Sequence, residues 1–433
     1  MVDSTAAQTG PGERAEPGEA GASPLLERFR AVRGATESLA SPLSAEDQQV
    51  QSMPDASPVK WHLAHTTWFF EEFVLARADA RYRRFHPRYG YLFNSYYEAV
   101  GPRHERPRRG LLTRPSLAEV LAYRAFVDER MGELLSGGRG AAVRAVVELG
   151  LHHEQQHQEL VLTDVKHALS QNPLRPAWRE DLPLAGGAAA PLLAFRELPG
   201  GVAEIGDAGQ GFAFDNERPR HRAWLEPFAL ASRPATNGEL LAFVEEGGYR
   251  RPELWLSDGF AAVKARGWEA PLYWERDGGG FAEFTLGGLR PLDLAAPAAH
   301  LSFYEADAFA RFSGARLPTE EEWEVAAREA PVAGNLAESG RFHPTVAPPA
   351  AGLAQLFGDV WEWTRSAYAP YPGFAPAPGA LGEYNGKFMV SQLVLRGGSC
   401  VTPATHLRAT YRNFFYPDAR WQFTGVRLAK DLR

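Results

Sequence analysis

Two histidines one helical turn apart, His153 and His157, are the residues of this chain best placed to do chemistry. Side chains four residues apart lie on one face of an α-helix, with Cβ atoms about 5–6 Å apart, so the two imidazoles can ligate one cation. His62 and His65 lie in a second apolar, helix-like run and can supply a third ligand. Histidines at this spacing more often serve the fold than a metal, so a structural role stays open at this point.

The elements that must position these histidines are predicted to form a four-helix bundle. Apolar residues recur at spacings of three and four through the first third of the chain, which predicts helices at 23–40, 57–78, 116–135 and 140–170. Ser57 and Ser116 are good N-caps for the second and third helices. His65 then lies on the second helix, and His153 and His157 lie on the fourth. Bundles build metal sites in this way, from inward-facing side chains of neighbouring helices.

A long connection, residues 85–115, joins the second and third predicted helices. It holds Tyr96 and Tyr97, and four arginines follow them, at positions 103, 106, 108 and 109. Loops of this length inside a compact domain are usually functional or disordered, and the many aromatic residues here argue against disorder. We therefore expect this loop to contribute to the site.

Composition divides the chain into four parts. Residues 1–22 are rich in Gly, Ala, Glu and Pro and are predicted to be a disordered tail. The other parts are the bundle, a linker rich in Pro, Ala and Gly, and a second domain, at residues 23–171, 172–194 and 195–433. The second domain has the pattern of short strands and long loops, with two helices at about 236–246 and 319–328.

Charge and cysteine content exclude several classes of protein. The 433 residues carry a net charge of −7 and no long basic run, so the chain lacks the electrostatic footprint of nucleic-acid or membrane binding. It has no signal peptide and no segment of about 18 apolar residues, and we expect a cytoplasmic protein. Cys400 is the only cysteine, which rules out an intrachain disulfide and an all-cysteine metal site. Any metal must rest on His, Asp or Glu.

Four motifs in the second half carry a resemblance to a known family. They are Gly-Ala-Arg-Leu-Pro-Thr-Glu-Glu-Glu-Trp-Glu at 314–324, Leu-Phe-Gly-Asp-Val-Trp-Glu-Trp-Thr at 356–364, Leu-Arg-Gly-Gly-Ser at 395–399 and Phe-Thr-Gly-Val-Arg-Leu at 423–428. Together they resemble the formylglycine-generating-enzyme-like fold, a C-type-lectin-like α+β domain. A DinB-like four-helix bundle placed before such a domain resembles the ergothioneine-biosynthesis sulfoxide synthase family, known as EgtB. The expected fold is therefore multidomain, α followed by α+β.

This resemblance implies a mononuclear nonheme iron enzyme. Such an enzyme uses O2 to join a thiol sulfur, as a sulfoxide, to C2 of the imidazole of hercynine, the Nα-trimethylated form of histidine. Carried over by motif, the Fe(2+) ligands are His65, His153 and His157. Three neutral imidazoles on one face of the ion leave positions open for the thiolate, hercynine and O2. His62 falls where the family often has another residue, so we expect it to be structural.

Further site residues follow from the same resemblance. Gln156 is expected to hold the hercynine imidazole through its amide, with an exposed helix glutamine as the alternative. Tyr96 and Tyr97, in Phe-Asn-Ser-Tyr-Tyr-Glu, resemble the catalytic tyrosine pair of the branch that uses free cysteine. A phenol near the metal can deliver both a proton and an electron. Another branch takes its tyrosine from the C-terminal domain, which makes Tyr384 the alternative.

The segment Tyr-Arg-Asn-Phe-Phe-Tyr at 411–416 bears on the thiol. The corresponding words in the branch that uses γ-glutamylcysteine are Arg-Asn-Trp-Asp. This chain keeps Asn413, has the aromatic Phe414 and replaces the acid with Phe415, which favours the smaller cysteine as substrate. An aromatic face attracts a quaternary ammonium group, so Phe414 and Trp421 are candidates for binding the hercynine betaine.

The charged candidates each keep a plain alternative. Cysteine presents a carboxylate, for which the guanidinium groups of Arg103 and Arg106 are natural partners, unless both belong to a solvated basic turn. Glu154 and Glu159 either support the metal-binding histidines or are solvated on the helix surface.

Other functions remain open from the sequence. A formylglycine-generating oxidase depends on active-site cysteines, and a single Cys400 argues against it. A DinB-type thiol transferase with zinc or nickel leaves the second domain unexplained. The same iron chemistry with γ-glutamylcysteine or a selenosugar is the nearest enzymatic alternative. A non-catalytic, lectin-like binding module is the alternative from another class, and the oligomeric state stays unknown.

Overall fold

The computed structural model describes residues 24–137, 140–183, 188–349, 352–377 and 379–432. The predicted disordered tail, residues 1–22, lies outside these ranges, as do residues 184–187 of the predicted linker. The described chain forms a helical part followed by a part built from short strands, loops and short helices. This is the order of α and α+β structure that the sequence predicted.

Four long helices and one short helix make up the helical part. They are α1 (Pro24–Ala40), α2 (Val59–Phe70), α3 (Tyr89–Phe93), α4 (Leu117–Ser136) and α5 (Gly140–Ser170). The four predicted helices are confirmed, with starts within two residues of the predicted ones. Ser116 caps α4 as predicted: its side chain accepts from the Glu119 N–H, and the Glu119 carboxylate accepts from the Ser116 N–H.

Helix α2 continues as a π-helical segment, Glu71–Leu75, and a last α-helical turn, Ala76–Ala78. Such segments are frequent at functional sites. The buried carboxylate of Glu71 accepts hydrogen bonds from the Tyr123 hydroxyl at 2.6 Å and from the Phe85 N–H at 2.8 Å. The segment thereby fastens the start of the long loop to α2 and α4.

The second part contains four small sheets. Its strands are β1 (Phe195–Leu198), β2 (Gly201–Ile205), β3 (His221–Leu225), β4 (Phe228–Ala231), β5 (Trp274–Asp277), β6 (Gly280–Thr285), β7 (Gly288–Pro291), β8 (Trp361–Ala367), β9 (Leu393–Arg396), β10 (Asn413–Phe415), β11 (Thr424–Gly425) and β12 (Ala429–Asp431). The sheet orders are β1-β4-β12, β2-β3, β5-β6-β7 and β10-β9-β8-β11. Neighbouring strands are antiparallel except β11 and β8, which are parallel. Strand β10 lies at the edge of its sheet, with Phe414 opposite Val394.

Five helices lie between these strands. They are α6 (Asn237–Glu245), α7 (Ser257–Arg266), α8 (Phe303–Phe312), α9 (Glu320–Ala327) and α10 (Glu383–Gly386). The sequence predicted α6 and α9 and missed the others. Helix α8 carried a readable signal, because Ser302 and Glu305 form a capping box at its start.

Helix α5 joins the two parts through buried polar contacts. The Glu159 carboxylate accepts hydrogen bonds from Trp361 Nε1 at 2.6 Å and from Thr402 Oγ1 at 2.8 Å. One turn and a half further on, Lys166 donates to His300 Nε2 at 2.7 Å. These bonds fix α5, which carries two of the predicted ligands, against the second part.

The described residues of the predicted linker are packed against both parts. Trp178 is buried, stacks edge-on against Phe342 with ring centroids 5.3 Å apart, and donates to the Leu39 carbonyl oxygen at 3.2 Å. Across the described ranges, no helix combines the length and apolarity needed to cross a membrane.

Candidate metal centre and substrate cavity

Three histidines from two helices meet inside the bundle: His65 of α2, and His153 and His157 of α5. One nitrogen from each ring lies within 4.8 Å of the other two, and His65 Nε2 is 3.1 Å from His153 Nε2. All three side chains are buried. The four-residue spacing puts His153 and His157 on the same face of α5, so both rings reach His65.

Hydrogen bonds determine which nitrogen of each ring faces this cluster. His65 Nδ1 lies 2.6 Å from the Phe93 carbonyl oxygen, which can only accept, so Nε2 presents a lone pair to the cluster. His157 Nδ1 lies 2.7 Å from His62 Nδ1, which leaves Nε2 of His157 for the cluster. His153 Nδ1 is buried and has no hydrogen-bond partner among the described residues.

Burial keeps the three imidazoles neutral. It lowers the pKa of His153 to about 4 and the pKa values of His65 and His157 well below the ordinary value. Neutral imidazoles so close together, one with an unpartnered buried nitrogen, fit a divalent transition metal. The three histidines would hold that ion, and the described part of the chain contains no second cluster of this kind.

The two carboxylates beside the ligands, Glu154 and Glu159, are buried, so the solvated alternative is wrong for both. Glu154 accepts hydrogen bonds from Arg124 Nη2 at 2.7 Å and from Arg33 Nη1 at 2.9 Å. Burial alone would raise the pKa of Glu154, but the two guanidinium groups bring it down to about 2. Burial raises the pKa of Glu159, whose hydrogen bonds run to the second part.

The histidine cluster opens onto a cavity of about 640 Å³ between the bundle and the second part. A cavity of this size suits small molecules. The predicted site residues that line it are His153, Gln156, His157, Tyr96, Arg106, Asn413, Phe414, Phe415 and Trp421, together with the alternative Tyr384. His65, Tyr97 and Arg103 are predicted site residues that do not line it.

The adjacent tyrosines have different surroundings. Tyr96 lines the cavity, and its hydroxyl accepts a hydrogen bond from Arg106 Nη1 at 2.8 Å. Its ring packs edge-on against Tyr384, with centroids 6.1 Å apart. Tyr97 is buried among the aromatic side chains of the bundle, and burial raises its pKa. Of the three predicted tyrosines, Tyr96 and Tyr384 are the two at the cavity.

Two arginines of the long loop, Arg106 and Arg109, line the cavity and form no ion pair within the described ranges. The Arg109 guanidinium lies 3.4 Å from the centroid of the Trp61 ring, and burial lowers its pKa to about 9. Arg103, by contrast, pairs with Glu98 and is partly exposed. Sequence reasoning named Arg103 and missed Arg109.

A chain of hydrogen bonds holds the Gln156 amide. Arg28, which can only donate, places Nη2 2.8 Å from His152 Nε2, and burial lowers the pKa of His152 to about 2. Neutral His152 therefore donates through Nδ1 to His406 Nδ1, at 3.1 Å, and His406 donates through Nε2 to the Tyr411 hydroxyl, at 2.9 Å. Gln156 Nε2 donates to the same hydroxyl at 2.8 Å, so Gln156 Oε1 remains available as an acceptor.

The second part supplies an aromatic wall. Phe414 stacks on Tyr368 with centroids 4.0 Å apart, which covers one of its faces. Phe415 packs edge-on against Trp421 at 6.0 Å, and Trp421 Nε1 is buried without a partner among the described residues. Asn413 Oδ1 accepts from the Phe414 N–H at 2.9 Å, which leaves the amide nitrogen of Asn413 as a donor. The wall therefore offers aromatic faces and two unused N–H donors.

Two protein families match the two parts. Residues 28–161 match the DinB superfamily, and residues 194–432 match the sulfatase-modifying factor enzyme 1-like domain. The first range falls in the helical part and the second covers the part with strands.

Similar proteins extend over both parts. The hercynine oxygenase of Mycolicibacterium smegmatis is 32% identical over 421 residues, covering 88% of this chain and 93% of that protein. The hercynine oxygenase of Mycolicibacterium thermoresistibile is 33% identical over 410 residues, covering 88% of each. Ergothioneine biosynthesis protein 1 of Schizosaccharomyces pombe is 28% identical, covering 51% of this chain and 28% of that protein.

Proposed function

Because the chain belongs to the hercynine oxygenase (EgtB) family, we propose that it is a nonheme iron(II) sulfoxide synthase that joins hercynine to cysteine. The observation that carries this proposal is a buried three-histidine cluster that opens onto a cavity walled by both parts. The family relation supports the enzyme class, hercynine and O2. The metal and the thiol rest on the residues of this chain.

The reaction balances with O2 as the only oxidant. The C2–H bond of the hercynine imidazole and the S–H bond of the thiol break, a C–S bond forms, and sulfur gains one oxygen atom. These changes remove four electrons from the two substrates. O2 accepts all four, and its second oxygen atom leaves as water with the two released hydrogens.

His65, His153 and His157 would hold Fe(II) through their inward nitrogens. When bound, Fe(II) supplies the one-electron chemistry with O2 and coordination positions for both substrates. The protein orients the reactants, which replaces an improbable encounter of several molecules with a preformed arrangement. Gln156 Oε1 is the group that accepts from the hercynine imidazole N–H, since Gln156 Nε2 is already bound to Tyr411.

The charges and aromatic residues of the cavity support cysteine as the thiol. Arg106 and Arg109, free of carboxylate partners within the described residues, suit the carboxylate of a small amino acid. Phe415 leaves no acid at the position that the γ-glutamyl branch uses. Phe415 and Trp421 offer aromatic surface to the trimethylammonium group, whereas Tyr368 already covers one face of Phe414.

A donor assay tests this function. The Fe(II)-loaded protein is incubated with hercynine, O2 and one of cysteine, γ-glutamylcysteine or a selenosugar, and the products are identified by mass. We expect hercynylcysteine sulfoxide as the main product. An adduct with another donor alone would replace the substrate assignment, and the absence of any hercynine adduct would contradict the enzyme assignment.

Tyr96 is the tyrosine that we expect to supply the proton. Tyr96→Phe should slow sulfoxide formation by about 100-fold or more, the usual effect of losing a general acid, with Fe(II) affinity unchanged. The measurement is the rate of product formation in single-turnover experiments, with Tyr97→Phe and Tyr384→Phe made in parallel. A full rate in Tyr96→Phe together with a slow Tyr384→Phe would move the role to Tyr384.

Tyr411 is expected to act through Gln156. Tyr411→Phe removes the acceptor of the Gln156 amide, so the KM for hercynine should rise about 5–10-fold, the value of one ordinary hydrogen bond. The KM for the thiol and the affinity for Fe(II) should stay the same. If Gln156→Leu raises the hercynine KM while Tyr411→Phe leaves it unchanged, Tyr411 does not position this amide.

A further inference from the structure

We propose that His62 and Asp164 form a hydrogen-bond relay that fixes the orientation and tautomer of His157 as a metal ligand. This inference rests on the proposed metal site and gives His62 a positioning role. The relay consists of two contacts: His157 Nδ1 to His62 Nδ1 at 2.7 Å, and His62 Nε2 to Asp164 Oδ2 at 3.1 Å.

The direction of each hydrogen bond follows from its partners. The Ser57 N–H donates to Asp164 Oδ2 at 2.8 Å, and the carboxylate also accepts from His62, so His62 Nε2 carries the proton. His62 is buried, and burial lowers its pKa, so the neutral ring has a lone pair on Nδ1. That lone pair accepts the proton of His157 Nδ1. The lone pair of His157 is therefore on Nε2, the nitrogen that faces the cluster.

The relay also joins the two helices that carry the ligands. Asp164 follows His157 by seven residues on α5, which places both on one face of that helix. His62 precedes His65 by three residues on α2, and its ring lies 5.0 Å from that of His157, centroid to centroid. One chain of hydrogen bonds thus sets both the angle of the His157 ring and the separation of α2 and α5.

The three ligands differ in this respect. His65 donates to a backbone carbonyl oxygen, and His153 Nδ1 has no partner among the described residues. Only the His157 ring is linked to a carboxylate. Partners of this kind raise the basicity of a ligating imidazole, and their loss typically weakens metal binding about 10–100-fold. We therefore expect His157 to be the ligand whose strength depends on its surroundings.

Two variants separate the hydrogen bond from the charge. His62→Phe keeps a ring but removes the relay, and should weaken Fe(II) and Co(II) binding about 10–100-fold. Asp164→Asn keeps an oxygen that can accept from Ser57 and His62 but loses the negative charge, so its effect should be smaller. Asp128→Asn is the control, because it removes a carboxylate that binds Arg33 and touches none of the histidines.

The measurements are metal affinity and the tautomer of His157. Affinities come from anaerobic chelator competition, and ¹⁵N NMR of the metal-free protein reports which nitrogen carries the proton. We expect the proton on Nδ1 in the wild type and in Asp164→Asn, and a loss of this preference in His62→Phe. Unchanged affinity in both relay variants, or a wild-type proton on Nε2, would overturn the relay. If the wild type binds neither metal, the proposed metal site fails, and the NMR result still decides the relay.

Discussion

His153→Ala and His157→Ala should each abolish stoichiometric Fe(II) binding and, with it, sulfoxide formation. Each substitution removes one of three nitrogen ligands from a buried site that offers no carboxylate in its place. Loss of a direct ligand should exceed the roughly 100-fold weakening typical of losing an outer partner. The metal content after anaerobic loading and desalting gives the first readout, and product mass gives the second.

The matched control for the ligand variants is His86→Ala. His86 is exposed and does not line the cavity. This variant should keep both the metal and the activity of the wild type. Circular dichroism of all variants separates metal loss from unfolding. A folded His153→Ala protein that retains one Fe(II) per chain would show that His153 is not a ligand.

Glu154→Gln should lower the free energy of unfolding by about 3–5 kcal/mol. Its carboxylate is fully buried and neutralises two guanidinium groups, those of Arg33 and Arg124. Removing one partner of a buried ion pair leaves the other charge uncompensated, and the penalty is of this size. The amide can still bond to one guanidinium group, but it carries no charge to balance either of them.

Chemical denaturation followed by circular dichroism measures this effect in the metal-free protein. The control is Glu148→Gln on the same helix, which breaks the partly exposed pair with Arg28. Exposed pairs contribute about 0–1 kcal/mol, so this control should unfold close to the wild type. If Glu154→Gln is as stable as Glu148→Gln, the buried ion cluster does not hold the bundle together.

The sequence predicted the bundle and the histidine cluster because both depend on local periodicity. A spacing of four residues puts His153 and His157 on one side of a helix whatever packs around it. The second part was predicted from motifs, which is why two of its helices were found and α7 and α8 were missed. Their short apolar patterns lie among strands and loops, where periodicity is a weak signal.

The cavity wall was harder to predict because it depends on contacts between distant segments. Tyr96 and Tyr97 are adjacent in an irregular loop, where no periodicity indicates which one faces the cavity. Arg109 becomes recognisable only when the structure shows a guanidinium against Trp61 and without a carboxylate in the described residues. The contact between His62 and His157 spans 95 positions and has no local signature.

The cavity has two walls that come from different parts of one polypeptide. The bundle carries the metal-binding histidines, whereas residues 411–421 of the second part carry most of the aromatic wall. Substitutions in 411–421 can therefore alter which sulfur compound is accepted while the histidines and their tautomers stay the same. Donor preference and metal binding are separately mutable traits, so lineages of this family can diverge in substrate without passing through a form that has lost its metal.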